Sequence, residues 1–434
     1  MIMRRIELTR GGELPAEELQ RSGGLDAEIL GVAQRIIDDV RARGDEALRD
    51  YTRRFDKVEI GDLRVTDEDI DASELLVDDG FAEAVSAAAA AIEDFHRRQV
   101  PQSWFTTVEG GVFLGAQVTA LRRVGIYVPG GRAIYPSSVL MNAIPAVVAG
   151  VEEIAMVVPP APDGSVDPHV LYAASQAGVS EIYKVGGAQA VAALAYGTAS
   201  IPRVDKITGP GNAYVTAAKK LVMGDVGIDM LAGPSEVLVL ADETAQPAFV
   251  AIDLMAQAEH DPKAATWLVT TDASLPDEVE EALEMLLEGS PRADVVRRSL
   301  TDNGRIVVCP GLDVALDVAN LIAPEHLEVQ MADAFELLGN IRNAGAIFLG
   351  HWTCESLGDY VAGPNHVLPT GGTARFSSPL SVEDFVKRSS VISYSREALE
   401  MDGPLAVRLA TVEGLDSHAN AVAMRLEMSE WEEE

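Results

Sequence analysis

The chain has almost no cysteine. Cys309 and Cys354 are the only two in 434 residues, too few for a disulfide framework and not spaced as metal ligands. No run of about 18 or more apolar residues occurs, so the sequence offers no membrane-spanning helix. The start, Met1-Ile-Met-Arg-Arg-Ile-Glu-Leu8, lacks the apolar stretch of a secretory signal, and a cytoplasmic location is expected. Also missing are a short-period repeat, a low-complexity linker and the Gly-x-Gly-x-x-Gly fingerprint that follows a strand in many dinucleotide-binding folds. Cations are scarce as well. Lys and Arg number 34, most of them Arg, against 68 Asp and Glu, for a formal charge of −34. Such a chain repels nucleic acid and anionic lipid, which excludes both as expected partners.

What is present is an ordinary folded composition, 47% hydrophobic and 24% charged, in a chain long enough for two or three cores. The acids are spread over helical stretches such as Asp26 to Asp50 and Asp277 to Glu288, and end in Glu430 and Glu432 to Glu434. That distribution reads as a solvated acidic surface suited to high salt. The first hundred residues are helical in pattern: Phe81, Val85, Ala88, Ile92 and Phe95 share one face, and Pro101 ends the region. Short apolar runs then alternate with amphipathic ones. Strands are expected at 125–128, 154–158, 182–185 and 204–207, with helices at 137–149, 167–177, 188–197 and 212–222. A second series has strands at 237–240, 267–270, 306–308 and 346–349, with helices at 245–258, 275–289 and 311–320. The alternation predicts an α/β protein with two Rossmann-like parallel-sheet domains. After residue 380 the pattern turns mostly helical, over 395–410 and 416–428, too little for a domain alone.

Several polar groups stand where packing does not require them. The stretch Gly358 to Thr373 holds Asp359, Asn365 and His366 among four glycines and two prolines, which predicts a shaped loop rather than a regular element. Gln257 and His260 sit three apart at a helix end, a spacing that fits two ligands of one ion but equally a polar helix terminus. Glu325 and His326 follow Pro324 directly; the adjacent carboxyl and imidazole suit a reaction with two proton transfers, or a solvated strand end. Glu413 and His418 form a similar pair in the tail, whereas His96, His169 and His351 read as incidental. Three glycine turns, Tyr127-Val-Pro-Gly-Gly131, Gly186-Gly-Ala-Gln189 and Thr208-Gly-Pro-Gly-Asn212, place backbone N–H groups at helix starts, where anions or nucleotides bind. Such turns belong at the carboxyl ends of the strands.

With these motifs in hand, the chain resembles the histidinol dehydrogenase family. The likeness runs essentially end to end and is densest from Gly125 to His418. It includes Tyr135-Pro-Ser-Ser-Val-Leu-Met-Asn-Ala-Ile-Pro145, Leu231-Ala-Gly-Pro-Ser-Glu236, Gln257-Ala-Glu-His260, Ala323-Pro-Glu-His326 and Leu380-Ser-Val-Glu-Asp-Phe385. The resemblance implies one zinc per subunit held by Gln257, His260, Asp359 and His418. It implies an acid/base pair of Glu325 and His326, and substrate contacts from Ser235, His366 and Glu413 as well as from His326 and the metal ligands. NAD contacts would come from Tyr127, Gln189 and Asn212. It further implies a homodimer whose tail completes the partner's site, so that Glu413 and His418 act in trans. The segments are then a helical region over 1–126, an NAD-side domain over 127–235, a metal and acid/base domain over 236–379, and a swapped tail over 380–434. Two departures stand out: Ser378-Pro379 where the family commonly has Ser-Gly, and Ser417 where Ala is common before the histidine.

The implied reaction takes L-histidinol to L-histidine with two NAD per turnover, since an alcohol becomes a carboxylate by loss of four electrons. His326 would take the alcohol proton and Glu325 would activate water on the bound aldehyde. A zinc hydrolase using Glu325 on the same ligands would need no nucleotide turns. A non-catalytic nucleotide-binding module would leave the Gln/His/Asp/His set unexplained.

Overall fold

The apolar runs pair as parallel strands in two sheets, because each run is buried on both faces and the intervening helices cover them. A computed structural model describes residues 2–19, 26–108, 110–130 and 134–431; Gly131 of the first glycine turn and Glu432 to Glu434 of the acidic tail lie outside the described residues. The chain divides into two compact units, one of Met1–Gln99 with Leu121–Phe385, the other of Val100–Ala120 with Val386–Glu434.

The larger unit holds both parallel sheets. In the first, β4 (Arg123–Tyr127), β5 (Glu153–Val158), β6 (Glu181–Lys184), β7 (Lys206–Thr208) and β8 (Gly227–Ile228) run in the order β6-β5-β4-β7-β8. Alternate residues go to opposite cores. Val124, Ile126, Ile154 and Met156 pack with helix Pro136–Ala149, and Ala155, Val157 and Tyr127 pack with helices Ala27–Arg43 and Gly187–Tyr196. In the second sheet, β9 (Glu236–Ala241), β10 (Ala265–Thr270), β11 (Gly304–Val308), β12 (His326–Gln330) and β13 (Ala346–Leu349) are joined by β1 (Arg4–Glu7), in the order β1-β11-β10-β9-β12-β13. The strand order reverses between β4 and β7 in one sheet and between β9 and β12 in the other.

The N-terminal region is helical over Ala27–Arg43, Asp45–Phe55, Asp67–Ser73 and Asp79–Arg97, but not throughout. Besides β1, it contains β2 (Trp104–Val108) and β3 (Val112–Ala120), which pair antiparallel with each other and with β14 (Val386–Ser393) in the order β14-β3-β2. This sheet is the body of the smaller unit, together with helices Arg396–Val412 and Asp416–Trp431. β2 and β14 are exposed along most of their length, and β14 carries no apolar run to announce it. Among the described residues no helix is long and apolar enough to cross a membrane.

Candidate active site and metal centre

The expected acid/base pair, Glu325 and His326, is built on the amino ends of two adjacent strands. Helix Leu312–Ile322 ends at Ala323, which adopts the left-handed conformation (φ 49°), and Pro324 then turns the chain so that His326 opens β12 beside β9. Glu236, the first residue of β9, holds both members of the pair through its backbone. Its N–H donates to Glu325 Oε2 at 2.8 Å, and its carbonyl accepts from His326 Nδ1 at 2.9 Å. With the proton on Nδ1, His326 Nε2 is a bare lone pair, buried and without a hydrogen-bond partner. Burial, and then the nearby His260 and His366 rings, push the His326 pKa down to about 3, well below its reference value. The ring is therefore neutral and ready to accept. Burial drives Glu325 the other way, well above the usual carboxylate range.

Nε2 of His326 lies 3.9 Å from Asp359 Oδ1. Asp359 is not on a loop. It lies in the last turn of a short helix, Glu355–Tyr360, so the expectation of irregular structure from Gly358 onward fails for its first three residues. Four residues apart on that helix, Glu355 and Asp359 face the same way, and their carboxylates gather with the His260 ring so that one ligand atom from each lies within 4.8 Å of the others. Glu355 was not among the expected site residues. The Gln257 amide, fully buried at the end of helix Pro247–Ala258, completes the cluster. Turned one way, it donates to Glu355 Oε2 at 2.8 Å and accepts from Glu236 N–H at 3.1 Å; turned the other way, its oxygen faces only the Glu355 carboxylate.

In that second orientation acceptor faces acceptor, which a cation between them would satisfy. Oxygens of Gln257, Glu355 and Asp359 with a His260 nitrogen are a chemically suitable set for a divalent ion. The electrostatics agree. Burial raises Asp359 to about 6 and lifts Glu355 well above the usual range, the latter also pushed by Asp359, Glu325 and Glu328. His260 is exposed by surface area, yet the protein around it removes enough water to lower its pKa. His366 donates Nδ1–H to the Asp359 carbonyl at 3.1 Å, and burial lowers its pKa to about 4. His260 and Tyr360 line a cavity of about 350 Å³. Half-buried Ser235 immediately precedes Glu236.

The rest of the Gly358 to Thr373 stretch is irregular apart from a single 3-10 turn at Thr373–Arg375, and it is pinned from below. Asn365 is structural: its Nδ2 donates to the Met141 carbonyl at 2.6 Å and its Oδ1 accepts from Val367 N–H at 2.9 Å. His96, buried in helix Asp79–Arg97, bonds the Ile92 carbonyl through Nδ1 and turns Nε2 toward Asn365 at 3.4 Å. Gly363 (φ 101°) passes so close to this helix that a Cβ would lie 2.6 Å from the Ala91 carbonyl oxygen. Leu380, just after Ser378-Pro379, donates its N–H to Val367 O at 2.9 Å.

The three glycine turns stand at the carboxyl ends of β4, β6 and β7, around the point where the strand order reverses. Tyr127, Gln189 and Asn212 all line one cavity of about 1210 Å³. Gly187 N–H donates to Tyr127 Oη at 3.0 Å, and burial raises the phenol to about 12. Asn212 caps helix Ala213–Val222, its Oδ1 accepting from Tyr214 and Val215 N–H, while Gln189 is buried with its Oε1 unpartnered. Ile134 lines both this cavity and the smaller one beside His260. The candidate site thus draws on the carboxyl edge of one sheet and the amino edge of the other. Glu413 and His418 belong to the smaller unit, where both are exposed around the Gly414 turn between its two helices.

Comparison with known proteins agrees with this architecture. The family model described as Histidinol dehydrogenase matches residues 19–426. The histidinol dehydrogenase of Syntrophotalea carbinolica is 55% identical over 420 residues, covering 96% of this chain and 95% of that one. That of Geobacter metallireducens is 53% identical over 411 residues, 94% of each. The crystal structure of histidinol dehydrogenase from Elizabethkingia anophelis superposes with a TM-score of 0.93 at 37% identity, over 99% of both chains. The chain therefore belongs to the histidinol dehydrogenase family and is a dehydrogenase.

Proposed function

We propose that the protein oxidises L-histidinol to L-histidine by way of bound L-histidinaldehyde, the last step of histidine biosynthesis, with two NAD consumed per turnover and one zinc per subunit. The observation that carries this reading is the bare Nε2 of His326, buried beside Asp359 and its cluster with His260 and Glu355. A neutral imidazole with a fixed tautomer is a base for an alcohol proton.

His326 Nε2 takes that proton as hydride leaves carbon. Glu325, beside His326, activates water for addition to the aldehyde. His326, having passed its first proton to solvent, accepts the next as the hydrated aldehyde is oxidised. Ser235, His366 and Glu413 contact the substrate, the last pairing with its ammonium. Zinc on Gln257, His260, Asp359 and His418 of the partner subunit would orient the substrate through its amine and imidazole nitrogens, a templating role. The nucleotide sits against Tyr127, Gln189 and Asn212. The large cavity at the glycine turns, lined by Tyr127, Gln189 and Asn212, favours this reading over a zinc hydrolase, which has no use for it.

Helix Arg396–Val412 leaves Met401, Leu405, Leu409 and Val412 exposed at helical spacing, an apolar stripe that supports a homodimer with the tail engaged in trans. The formal charge of −34 supports a cytoplasmic enzyme working at high salt. Stoichiometry tests the proposal: about two NADH should form per L-histidinol consumed, with activity lost to a chelator and regained with zinc. One NADH per substrate would mean that the aldehyde escapes and that Glu325 has another role.

A further inference from the structure

The nucleotide turn is tied down by a buried ion pair that contacts no part of the cavity. Lys219 and Asp229 have side chains only 3% and 1% exposed and form a direct salt bridge. Both also bind the backbone of one residue: Lys219 Nζ donates to the Gly209 carbonyl at 3.0 Å, and Asp229 Oδ2 accepts from Gly209 N–H at 2.8 Å. Gly209 begins the Gly209-Pro-Gly-Asn212 turn with φ 110°, and a Cβ there would lie 2.2 Å from the Tyr127 carbonyl oxygen. The turn is thus pressed against the end of β4 on one side and held by two charges on the other. Lys219 sits two helical turns beyond Asn212, on the buried face of helix Ala213–Val222, and Asp229 immediately follows β8.

Burying two charges is a costly way to fasten a turn. A pair of apolar side chains of similar volume would hold helix against sheet at least as stably. What an apolar pair could not do is fix Gly209 at both its N–H and its carbonyl. That residue sets where Asn212 and the capped start of helix Ala213–Val222 stand in the cavity that Tyr127 and Gln189 also line.

We infer that Lys219 and Asp229 are positioning residues for the dinucleotide: they lock the Gly209 to Asn212 turn in its binding geometry while touching no ligand. The inference rests on the reading of this cavity as the NAD site. It predicts a separation of stability from affinity. Lys219→Met or Asp229→Leu alone strands a buried charge and lowers the melting temperature sharply. The double variant Lys219→Met/Asp229→Leu removes both charges and recovers part of that loss, the remainder being the cost of stranding the Gly209 N–H and carbonyl, and leaves Gly209 unanchored.

The test is NAD titration by calorimetry on wild type, the double variant and Asn212→Ala, together with KM for NAD and for L-histidinol. The double variant should melt above either single variant, bind NAD at least about tenfold more weakly and show an unchanged KM for L-histidinol. A double variant that binds NAD as wild type does, while Asn212→Ala does not, overturns the positioning role. Unaltered NAD binding in Asn212→Ala would instead overturn the nucleotide reading on which the inference stands. If the single variants fail to fold, the double variant still decides.

Discussion

His326 and Glu236 are joined by one hydrogen bond, Nδ1–H to a main-chain carbonyl at 2.9 Å, and that bond decides which nitrogen of the imidazole can act. The acceptor is a peptide oxygen on a central strand, so it neither titrates nor rotates away. His326→Gln keeps bulk and polarity but loses the basic nitrogen. We expect kcat to fall by roughly 10²- to 10⁴-fold with little change in KM for L-histidinol, measured by NADH formation under saturating NAD.

Glu325→Gln separates the two oxidations. It keeps an oxygen to accept the Glu236 N–H but cannot take a proton from water. NADH formed per L-histidinol consumed should drop from two toward one, with aldehyde accumulating; trapping with a hydrazine reagent checks this. An unchanged ratio at a lower rate would place water activation elsewhere.

Glu355 faces the Gln257 amide, and its carboxylate lies within 4.8 Å of candidate ligand atoms of His260 and Asp359. Removing such a group commonly weakens metal binding by about 10- to 100-fold. Glu355→Ala should therefore lose zinc on dialysis under conditions where wild type retains it. Metal content after competition with a chromophoric chelator gives the measurement, with no need of turnover.

Glu328, in the middle of β12, is fully buried; its carboxylate accepts from Gln330 Nε2 at 3.0 Å and from Glu355 N–H at 2.8 Å, beside Asp253. Burial, then the adjacent Asp253 charge, push its pKa up to about 8 from an ordinary 4.5. A carboxyl whose pKa is higher folded than unfolded adds stability in full below the unfolded value and loses it as pH rises through the folded one. Wild type should thus lose stability between pH 4.5 and about 8 from this group. Glu328→Gln, neutral throughout, should flatten that slope, as read from denaturation midpoints at pH 5 and pH 8.5.

Asn365 carries no chemistry in this arrangement. Asn365→Ala strands the Met141 carbonyl and the Val367 N–H, and the expected loss is about 1–3 kcal/mol of stability. Thermal unfolding should register this. The NADH-to-histidinol ratio should stay at two.

Most of the larger unit was legible because its strands are buried on both faces and so appear as unbroken apolar runs: Ile154 to Val158 and Val237 to Leu240 lie wholly inside β5 and β9. The smaller sheet was not, since β14 reads Val-Lys-Arg-Ser-Ser-Val-Ile-Ser and is solvated for most of its length. Within the site, Gln257, His260, His326 and Asp359 could be picked out as polar groups with no packing purpose. Glu355 could not. Its partnership with Asp359 depends on a helical turn that Gly358 argued against, and the i, i+4 spacing was the signal available. Nor does sequence distance hint that Lys219 and Asp229 close on Gly209, because that contact needs the crossover from β7 to β8. The depressed pKa of His326 was hidden for a related reason: reference values carry no burial.

Glu325 and His326 both hang from a single residue's backbone, at the start of a strand flanked by two others. Loops around the site can breathe without changing the distance from Glu325 to His326, but the sheet cannot. A slip of one residue between β9 and β12 would carry both groups off the Glu236 backbone together. Heat should therefore abolish the first and second oxidations at the same temperature, rather than letting the enzyme degrade into an aldehyde producer on the way to unfolding.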